Sequence, residues 1–196
     1  MDKDEESNYR KNGKNEMLFC GTLNYKPNEE ALSFFCRQIF PFIRRKIPDA
    51  TLTIIGRGIT DEVEKLKLLS GINVIGYVDD TKPFYDHAKL SVVPLLNGGG
   101  TRVKILESMI YKTSVVSTAI GAEGLDVIDG VHIAIADKPE EFANRCVELL
   151  LDSEKCMRIA MNGHALIKEK YGIDKFVASM DKFFDAYQKE YASARS

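Results

Sequence analysis

Residues 90–110 read LSVVPLLNGGGTRVKILESMI, an apolar run that meets three glycines and then continues with apolar residues at helical spacing. The run 90–95 predicts a buried strand, in which Pro94 lies near the end, where a missing N–H group is tolerated. The later apolar residues predict a helix over 102–111. A buried strand followed directly by a helix is the building unit of α/β folds.

The same alternation of apolar strand and helix extends along the chain. Five further apolar runs predict strands at 17–23, 50–55, 72–75, 114–117 and 131–135. Helices are predicted at 28–46, 60–69, 81–88, 139–151, 153–170 and 173–190. Pro41 should kink or restart the first of these helices. Because the strands are apolar throughout, both faces of a parallel sheet should be covered, which predicts a doubly wound, Rossmann-like α/β fold of about six strands with helices on both faces.

Length and charge narrow the class of protein. The 196 residues suffice for one compact domain, predicted at 17–196 after a disordered leader or linker at 1–16. The formal net charge is −2, so no overall attraction to nucleic acid or to an anionic membrane is expected. No run of 18 apolar residues occurs, which predicts that the chain has no transmembrane segment.

Cysteine, histidine and glycine spacing argues against several kinds of site. The four cysteines form no CxxC pair, and no group of cysteine and histidine residues has zinc-ligand spacing, so buried reduced thiols and no metal site are expected. The motif GxxxxGK[ST] is absent, and the stretch that begins at Gly56 lacks the third glycine of GxGxxG. A P-loop ATPase and an NAD-type dinucleotide fold are therefore disfavoured, and no cofactor is predicted.

A ligand should bind beyond the carboxyl ends of the strands, where glycines cluster in this sequence. Free N–H groups and the dipole at the start of helix 102–111 favour an anion such as phosphate, and Arg102 and Lys104 add positive charge there. Glu107, on the same helix, offers the acceptor pair that the two hydroxyls of a ribose need. A tight glycine turn beside solvated Arg102 and Lys104 and a surface Glu107 fits the same residues, so both interpretations stay open at this stage.

Seven segments, in order, resemble the C-terminal, donor-binding domain of the group 1 retaining glycosyltransferases, which have the GT-B architecture. The resemblance covers residues 17 to about 187 and is closest to a bacterial branch linked to polysaccharide and cell-surface sugar synthesis. The segments are LFCGTL with PN (18–28), IPDATLTIIGRG (47–58), INVIGYVDD (72–80), AKLSVVPL (88–95), GGGTRVKILESM (98–109), SVVSTAIGAEGL (114–125) and DKPEEFA (137–143).

The resemblance implies roles for particular residues and leaves the catalytic residue unassigned. Glu107 matches the glutamate that binds the donor ribose, and Arg57 lies in a loop that faces the donor in several relatives. The nucleobase would be framed by Ile75, Gly76, Tyr77 and Val78. The donor diphosphate would meet Gly99, Gly100, Thr101, Arg102, Lys104, Gly21 and Lys26. The family glutamate that contacts the transferred sugar is replaced by Gly99, so sugar identity cannot be inferred from that position.

The resemblance also implies an activity: transfer of a hexose-type unit from a nucleoside diphosphate sugar to a saccharide or lipid-linked acceptor, without an obligatory metal. A GT-B enzyme carries a second, N-terminal domain for the acceptor, and we expect that domain to be missing from this chain. The chain alone should bind nucleotide with little or no transfer. The expected location is the cytoplasm, with a peripheral position at the inner membrane as an option for the full-length enzyme.

Two other functions fit the same residues. One is a non-catalytic module that binds a nucleotide sugar and partners a separately encoded acceptor domain. The other is a nucleotide-sugar epimerase of the same architecture, which would need acid and base groups at the cleft beyond Glu107 and Glu123.

Overall fold

The computed structural model describes residues 15–98 and 102–170 of the chain. The predicted site residues Gly99, Gly100 and Thr101 lie outside these ranges, as does the predicted helix 173–190. Of the predicted leader 1–16, only Asn15 and Glu16 are described, and Glu16 is the first residue of a strand. The chain divides into two compact units, 1–164 and 165–196. The first holds the sheet, and the described part of the second, residues 165–170, is helical.

The described residues form one six-stranded, all-parallel sheet, which confirms the predicted fold class. Its spatial order is β3-β2-β1-β4-β5-β6. The chain therefore builds outward from β1 in one direction, returns to pair β4 with β1, and builds outward in the other direction, so β1 and β4 form the topological switch point. The strands are β1 (Glu16–Cys20), β2 (Thr51–Ile55), β3 (Ile72–Gly76), β4 (Leu90–Val93), β5 (Ser114–Ser117) and β6 (Ala134–Ile135).

The helices connect these strands in chain order. The predicted helix 28–46 consists of α1 (Lys26–Phe34), a π-helical turn (Phe35–Ile39) and α2 (Phe40–Lys46). Pro41 lies in the first turn of α2, where no N–H group is required, so the predicted restart is confirmed. The others are α3 (Asp61–Glu64) with a 3₁₀ turn (Lys65–Leu68), α4 (Lys82–His87), α5 (Val103–Ile110), α6 (Ala119–Ala122), α7 (Pro139–Leu151) and α8 (Ser153–Lys170).

Three strands differ from their predictions for identifiable reasons. β1 stops at Cys20, because the chain turns there into the loop that leads to α1. β4 stops at Val93, directly before Pro94, which has no N–H group to donate to a neighbouring strand. The predicted strand 131–135 shrinks to two residues, because the backbone N–H of His132 bonds back to the carbonyl of Ile128 in a turn.

β3 is not buried on both faces, so the expectation that every strand would be covered is wrong there. Ile72 and Val74 are buried, whereas Asn73 and Ile75 on the other face are exposed. β3 is an edge strand of the sheet, where coverage by helices is incomplete. Its alternating side chains leave an open groove on this face of the sheet.

The cysteines follow the expectation of reduced thiols. All four are free, and Cys36, Cys146 and Cys156 are buried in the core. Burial raises the pKa of the Cys36 thiol to about 12, so it stays protonated. Within residues 15–98 and 102–170, the structure contains no helix both long and apolar enough to cross a membrane.

Candidate functional site

Two hollows lie at the carboxyl edge of the sheet, beside the switch point, and share Cys20, Gly21 and Thr22 at the end of β1. The α5 hollow has a volume of about 280 Å³ and is also lined by Lys104 and Glu107. The β3 hollow has a volume of about 310 Å³ and is lined on its far side by the loops that follow β2 and β3. Because they share one wall, the two hollows form a single two-lobed cleft.

The open groove on the face of β3 is larger, at about 680 Å³, and is lined by Thr53, Asn73, Ile75 and His87 among others. It lies on the face of the sheet rather than at the strand ends. In open α/β sheets the loops at the carboxyl ends of the strands carry the ligand site. Position and chemistry, rather than volume, therefore identify the two-lobed cleft as the candidate site.

Two glycines allow the loops that frame the cleft to meet. A Cβ atom on Gly56 would lie 1.7 Å from the carbonyl oxygen of Gly21, and Gly56 has a φ of +147°. The Gly21 N–H donates to the carbonyl of Ile55 at 3.1 Å, which ties the end of β1 to the end of β2. A Cβ on Gly21 would lie 3.0 Å from the Asn28 amide and 3.3 Å from Lys104 Nζ. Gly21 therefore leaves room for the polar groups of the α5 hollow.

Lys104 places a largely desolvated cation in the α5 hollow. It lies in the first turn of α5, and its Nζ donates to Asn28 Oδ1 at 2.6 Å. Nζ also lies 4.6 Å from the centroid of the Phe19 ring, within cation–π distance. Burial lowers the Lys104 pKa to about 8, and the charge of Arg102 acts in the same direction. An anion bound in this hollow would replace the lost hydration of the ammonium group.

Glu107 lies three residues after Lys104, on the same face of α5. Its Oε1 accepts from the Thr81 hydroxyl at 2.5 Å, and its Oε2 accepts from the Tyr85 hydroxyl at 3.2 Å. The Cys20 thiol lies 4.0 Å from Oε2, and burial together with the nearby carboxylate raises the pKa of that thiol to about 11. The carboxylate is thus held in place from β1 and α4, and a carboxylate has more acceptor sites than these donors use.

Arg102 immediately precedes α5 and is buried, with 7% of its side chain exposed. Its Nε and Nη2 donate to the carbonyl oxygen and to Oε2 of Glu123, both at 3.2 Å. Its Nη1 and Nη2 donate to the carbonyl oxygen of Gly98 at 3.2 and 3.3 Å. The solvated arginine of the simple-turn interpretation is therefore wrong, and the guanidinium group is bonded on several sides to the protein itself.

Comparison with known proteins identifies the family. The family model described as "Glycosyl transferases group 1" matches residues 14–152. The chain belongs to the group 1 glycosyltransferases. A Klebsiella pneumoniae protein described as an uncharacterized 44.6 kDa protein in the cps region is 29% identical over 174 residues, which are 85% of this chain and 45% of that protein. This glycosyltransferase chain thus spans about half the length of that curated relative.

Solved structures share the fold of this glycosyltransferase domain. Anabaena Alr3699/HepE, in complex with UDP and glucose, matches with a TM-score of 0.72 at 14% identity, over 92% of this chain and 50% of HepE. The C-terminal domain of the group 1 family protein LpcC from Francisella tularensis matches with a TM-score of 0.65 at 22% identity, over 82% of this chain and 88% of that domain. The fold is that of one half of a GT-B glycosyltransferase.

The remaining residues named from the glycosyltransferase resemblance fall in different places. Arg57, Tyr77 and Val78 line the β3 hollow. Arg57 Nη2 donates to the Tyr77 hydroxyl at 3.3 Å, and its guanidinium carbon lies 4.6 Å from the centroid of the Tyr77 ring. The exposed side chain of Ile75 lines the open groove instead, and the Gly76 carbonyl accepts from the Gly56 N–H at 2.8 Å.

Lys26, a predicted diphosphate contact, lies outside both hollows. It is exposed at the start of α1, where its Nζ pairs with Glu29 at 2.6 Å. Among the described residues, no three His, Cys, Asp or Glu side chains lie together in a way that could hold a metal ion.

Sequence reasoning missed four groups that shape the cleft of this glycosyltransferase. Asn28 orients Lys104, while Thr81 and Tyr85 orient Glu107, and Cys20 lines both hollows. Cys20 and Asn28 lie in a segment of the family resemblance that assigns them no role, and no local pattern marks Thr81 or Tyr85. Their partners are 22 to 87 residues away in the chain, beyond the reach of helical or strand periodicity.

Proposed function

We propose that this domain binds the nucleoside diphosphate sugar donor of a glycosyltransferase. The observation that carries the proposal is the placement of Lys104 and Glu107 on one face of α5, inside a cleft at the switch point of the sheet. The first residue supplies a desolvated cation, and the second, about one helical turn later, supplies a fixed carboxylate. The cation suits the diphosphate of a nucleotide, and the carboxylate suits the hydroxyls of its ribose.

The diphosphate would bind in the α5 hollow beside Lys104. Its ammonium group has three donors, of which one bonds to Asn28. A phosphate oxygen would accept a hydrogen bond from one of the other two, and its negative charge would stabilise the ammonium group that burial has removed from water. Because Gly21 has no side chain, the space beside Lys104 Nζ stays open to the diphosphate. The predicted contacts of Gly99, Gly100 and Thr101 with the diphosphate remain part of this proposal.

The ribose would bind at Glu107, and the base in the β3 hollow. The Thr81 and Tyr85 hydroxyls already fix the Glu107 carboxylate, so a ribose hydroxyl can donate to it without the entropic cost of ordering that side chain on binding. The β3 hollow offers the exposed ring of Tyr77 and the backbone around Val78. Stacking on an aromatic ring suits any nucleobase, so this arrangement does not select between uracil and guanine.

Transfer would release a nucleoside diphosphate, whose negative charge grows in the transition state. A fixed cation in a desolvated cleft stabilises such charge more strongly than the same cation in water. The acceptor would be a saccharide or a lipid-linked sugar in cell-surface polysaccharide synthesis, held by a second, N-terminal domain. We expect the full-length enzyme in the cytoplasm, at the inner membrane if its acceptor is lipid-linked, and acting without an obligatory metal. This domain alone would bind donor and transfer little.

Calorimetric titration with UDP and GDP tests donor binding directly. We expect saturable binding of at least one of them, and weaker binding by Lys104→Met, whose unbranched side chain keeps the bulk without the charge. Lys67→Met, on an exposed lysine in the 3₁₀ turn, is the matched control and should bind as the unmodified chain does. Failure of both nucleotides to bind at millimolar concentration would contradict the proposal.

The epimerase alternative receives less support from the cleft. It requires carboxylates free to exchange protons with a sugar ring. Glu107 accepts from two hydroxyls, and the Glu123 carboxylate accepts from Arg102. A non-catalytic module with a separately encoded partner would show the same nucleotide binding, and co-purification with an acceptor-domain protein would distinguish it from a domain of a longer enzyme.

A further inference from the structure

Arg102 makes more hydrogen bonds to backbone carbonyls than to any charged group. Three of its nitrogens share the carbonyl oxygens of Gly98 and Glu123, and its one ionic partner is the Glu123 carboxylate, whose side chain is 73% exposed. The Arg102 side chain itself is buried. A guanidinium has five N–H donors in one plane, and the four hydrogen bonds described here connect it to two separate loops.

The two carbonyls belong to neighbouring loops at the carboxyl edge. Gly98 follows β4, and Glu123 follows α6, which in turn follows β5. β4 and β5 are adjacent in the sheet, and Gly121 of α6 lines the α5 hollow together with Lys104. Arg102 thus joins the loop before α5 to the loop after α6, across one wall of the cleft.

We propose that Arg102 is a positioning residue that clamps these two loops together, and that it does not bind the donor phosphates. The proposal rests on the function proposed above for the cleft. To offer a phosphate more than its one remaining N–H, the guanidinium would have to break bonds to Gly98 or Glu123 and leave a backbone carbonyl without its donor. Arg102 and Lys104 both line the α5 hollow. Arg102 makes four hydrogen bonds to Gly98 and Glu123, whereas Lys104 has a single described acceptor, so we infer that Lys104 is the cation that meets the donor.

The Glu123→Ala variant separates the two roles of Arg102 by the sign of its effect on UDP affinity. If Arg102 were a phosphate ligand restrained by Glu123, removal of the carboxylate would release it and tighten UDP binding. If Arg102 is a clamp, the variant loosens one loop, and we expect affinity to fall by about two- to threefold, because the carboxylate is exposed and the carbonyl bonds remain. Tighter binding by Glu123→Ala would overturn the proposal.

Hydrogen–deuterium exchange of the nucleotide-free chain gives a second readout that a phosphate ligand would not affect. Arg102→Lys keeps the charge but loses the planar fork, so we expect faster exchange at the amides of residues 119–125 while exchange in β1 and β2 stays as it was. Arg145→Lys, at an arginine paired with Asp129, is the control and should leave 119–125 unchanged. Unchanged exchange there in Arg102→Lys would also overturn the proposal.

The exchange result does not depend on nucleotide. If the unmodified chain binds neither UDP nor GDP, the proposed function fails, while faster exchange at 119–125 in Arg102→Lys still supports the clamp. If the chain binds nucleotide and exchange is unchanged, the clamp fails alone.

Discussion

Lys104 Nζ lies 2.6 Å from Asn28 Oδ1, across the α5 hollow and between residues that are 76 positions apart in the chain. The bond joins the start of α5 to the first turn of α1, the helices that follow β4 and β1. These are the two strands at which the order of the sheet reverses. The cation is therefore fixed at the place where such a sheet binds its ligand.

Nucleotide affinity should depend on the protonation of Lys104. Its pKa of about 8 in the free chain is lowered by burial, so the ammonium form falls as pH rises through 8. A diphosphate binds the charged form, so binding above pH 8 must also take up a proton. We expect calorimetric UDP affinity to change little between about pH 7 and pH 7.5 and to weaken by up to about tenfold for each pH unit above 8.

The control for this pH dependence is Lys104→Arg, whose side chain stays protonated throughout the range. Its UDP affinity should change little between about pH 7 and pH 9.5. A fall in affinity of the same size in this variant would assign the titration to another group.

Glu107→Gln should remove the preference for a ribose over a deoxyribose. The unmodified chain is expected to bind UDP more tightly than 2′-deoxy-UDP, since the lost hydroxyl would otherwise donate to a charged acceptor, a bond of about 1.5–3 kcal/mol. The neutral amide of the variant would accept more weakly, so the two ligands should bind alike in competition titrations. Tyr85→Phe keeps the ring and leaves Glu107 with its bond from the Thr81 hydroxyl, so this variant should retain the preference for ribose. Equal affinities of the unmodified chain for UDP and 2′-deoxy-UDP would contradict the ribose assignment.

Tyr77→Ala should weaken nucleotide binding without affecting pyrophosphate binding. The exposed ring lies in the β3 hollow and offers a stacking surface for the base, worth about 1–3 kcal/mol. Pyrophosphate has no base and would bind beside Lys104 alone. Tyr77→Phe, which keeps the ring but loses its bond with Arg57, should bind UDP nearly as the unmodified chain does. An equal loss for UDP and pyrophosphate in Tyr77→Ala would place the effect on the phosphates.

Gly56→Ala should strongly destabilise the domain. The new Cβ would lie 1.7 Å from the Gly21 carbonyl oxygen, so the loops after β1 and β2 would have to separate. We expect a loss of about 3 kcal/mol or more in the free energy of unfolding, measured in urea.

Gly124→Ala is the matched control for Gly56→Ala. Gly124 also has a positive φ, of +81°, but no heavy atom lies within 4 Å of the position of its Cβ. Gly124→Ala should therefore lower the free energy of unfolding by only about 1 kcal/mol, which is the cost of a positive φ for a residue with a Cβ. If the two variants were equally destabilised, the close approach of Gly21 and Gly56 would not be what holds the edge of the cleft together.

Local patterns in the sequence were sufficient to predict the parallel sheet and to identify the segment that carries the candidate site. The apolar runs predicted all six strands because helices cover both faces of a parallel sheet, which makes its strands apolar along their length. They failed at β3, whose open face depends on its position at the edge of the sheet, a property of the strand order rather than of the strand.

The sequence by itself determined the fold class, the family resemblance and the helix that places Lys104 and Glu107 on one face, because strand and helix periods are local properties of a chain. Only the tertiary structure decided which charges are available to a ligand. It paired Arg102 with Glu123 and left Lys104 facing the hollow beside Asn28. Such pairings depend on how segments 21 to 76 residues apart meet at the edge of the sheet, and burial there lowers the pKa of Lys104.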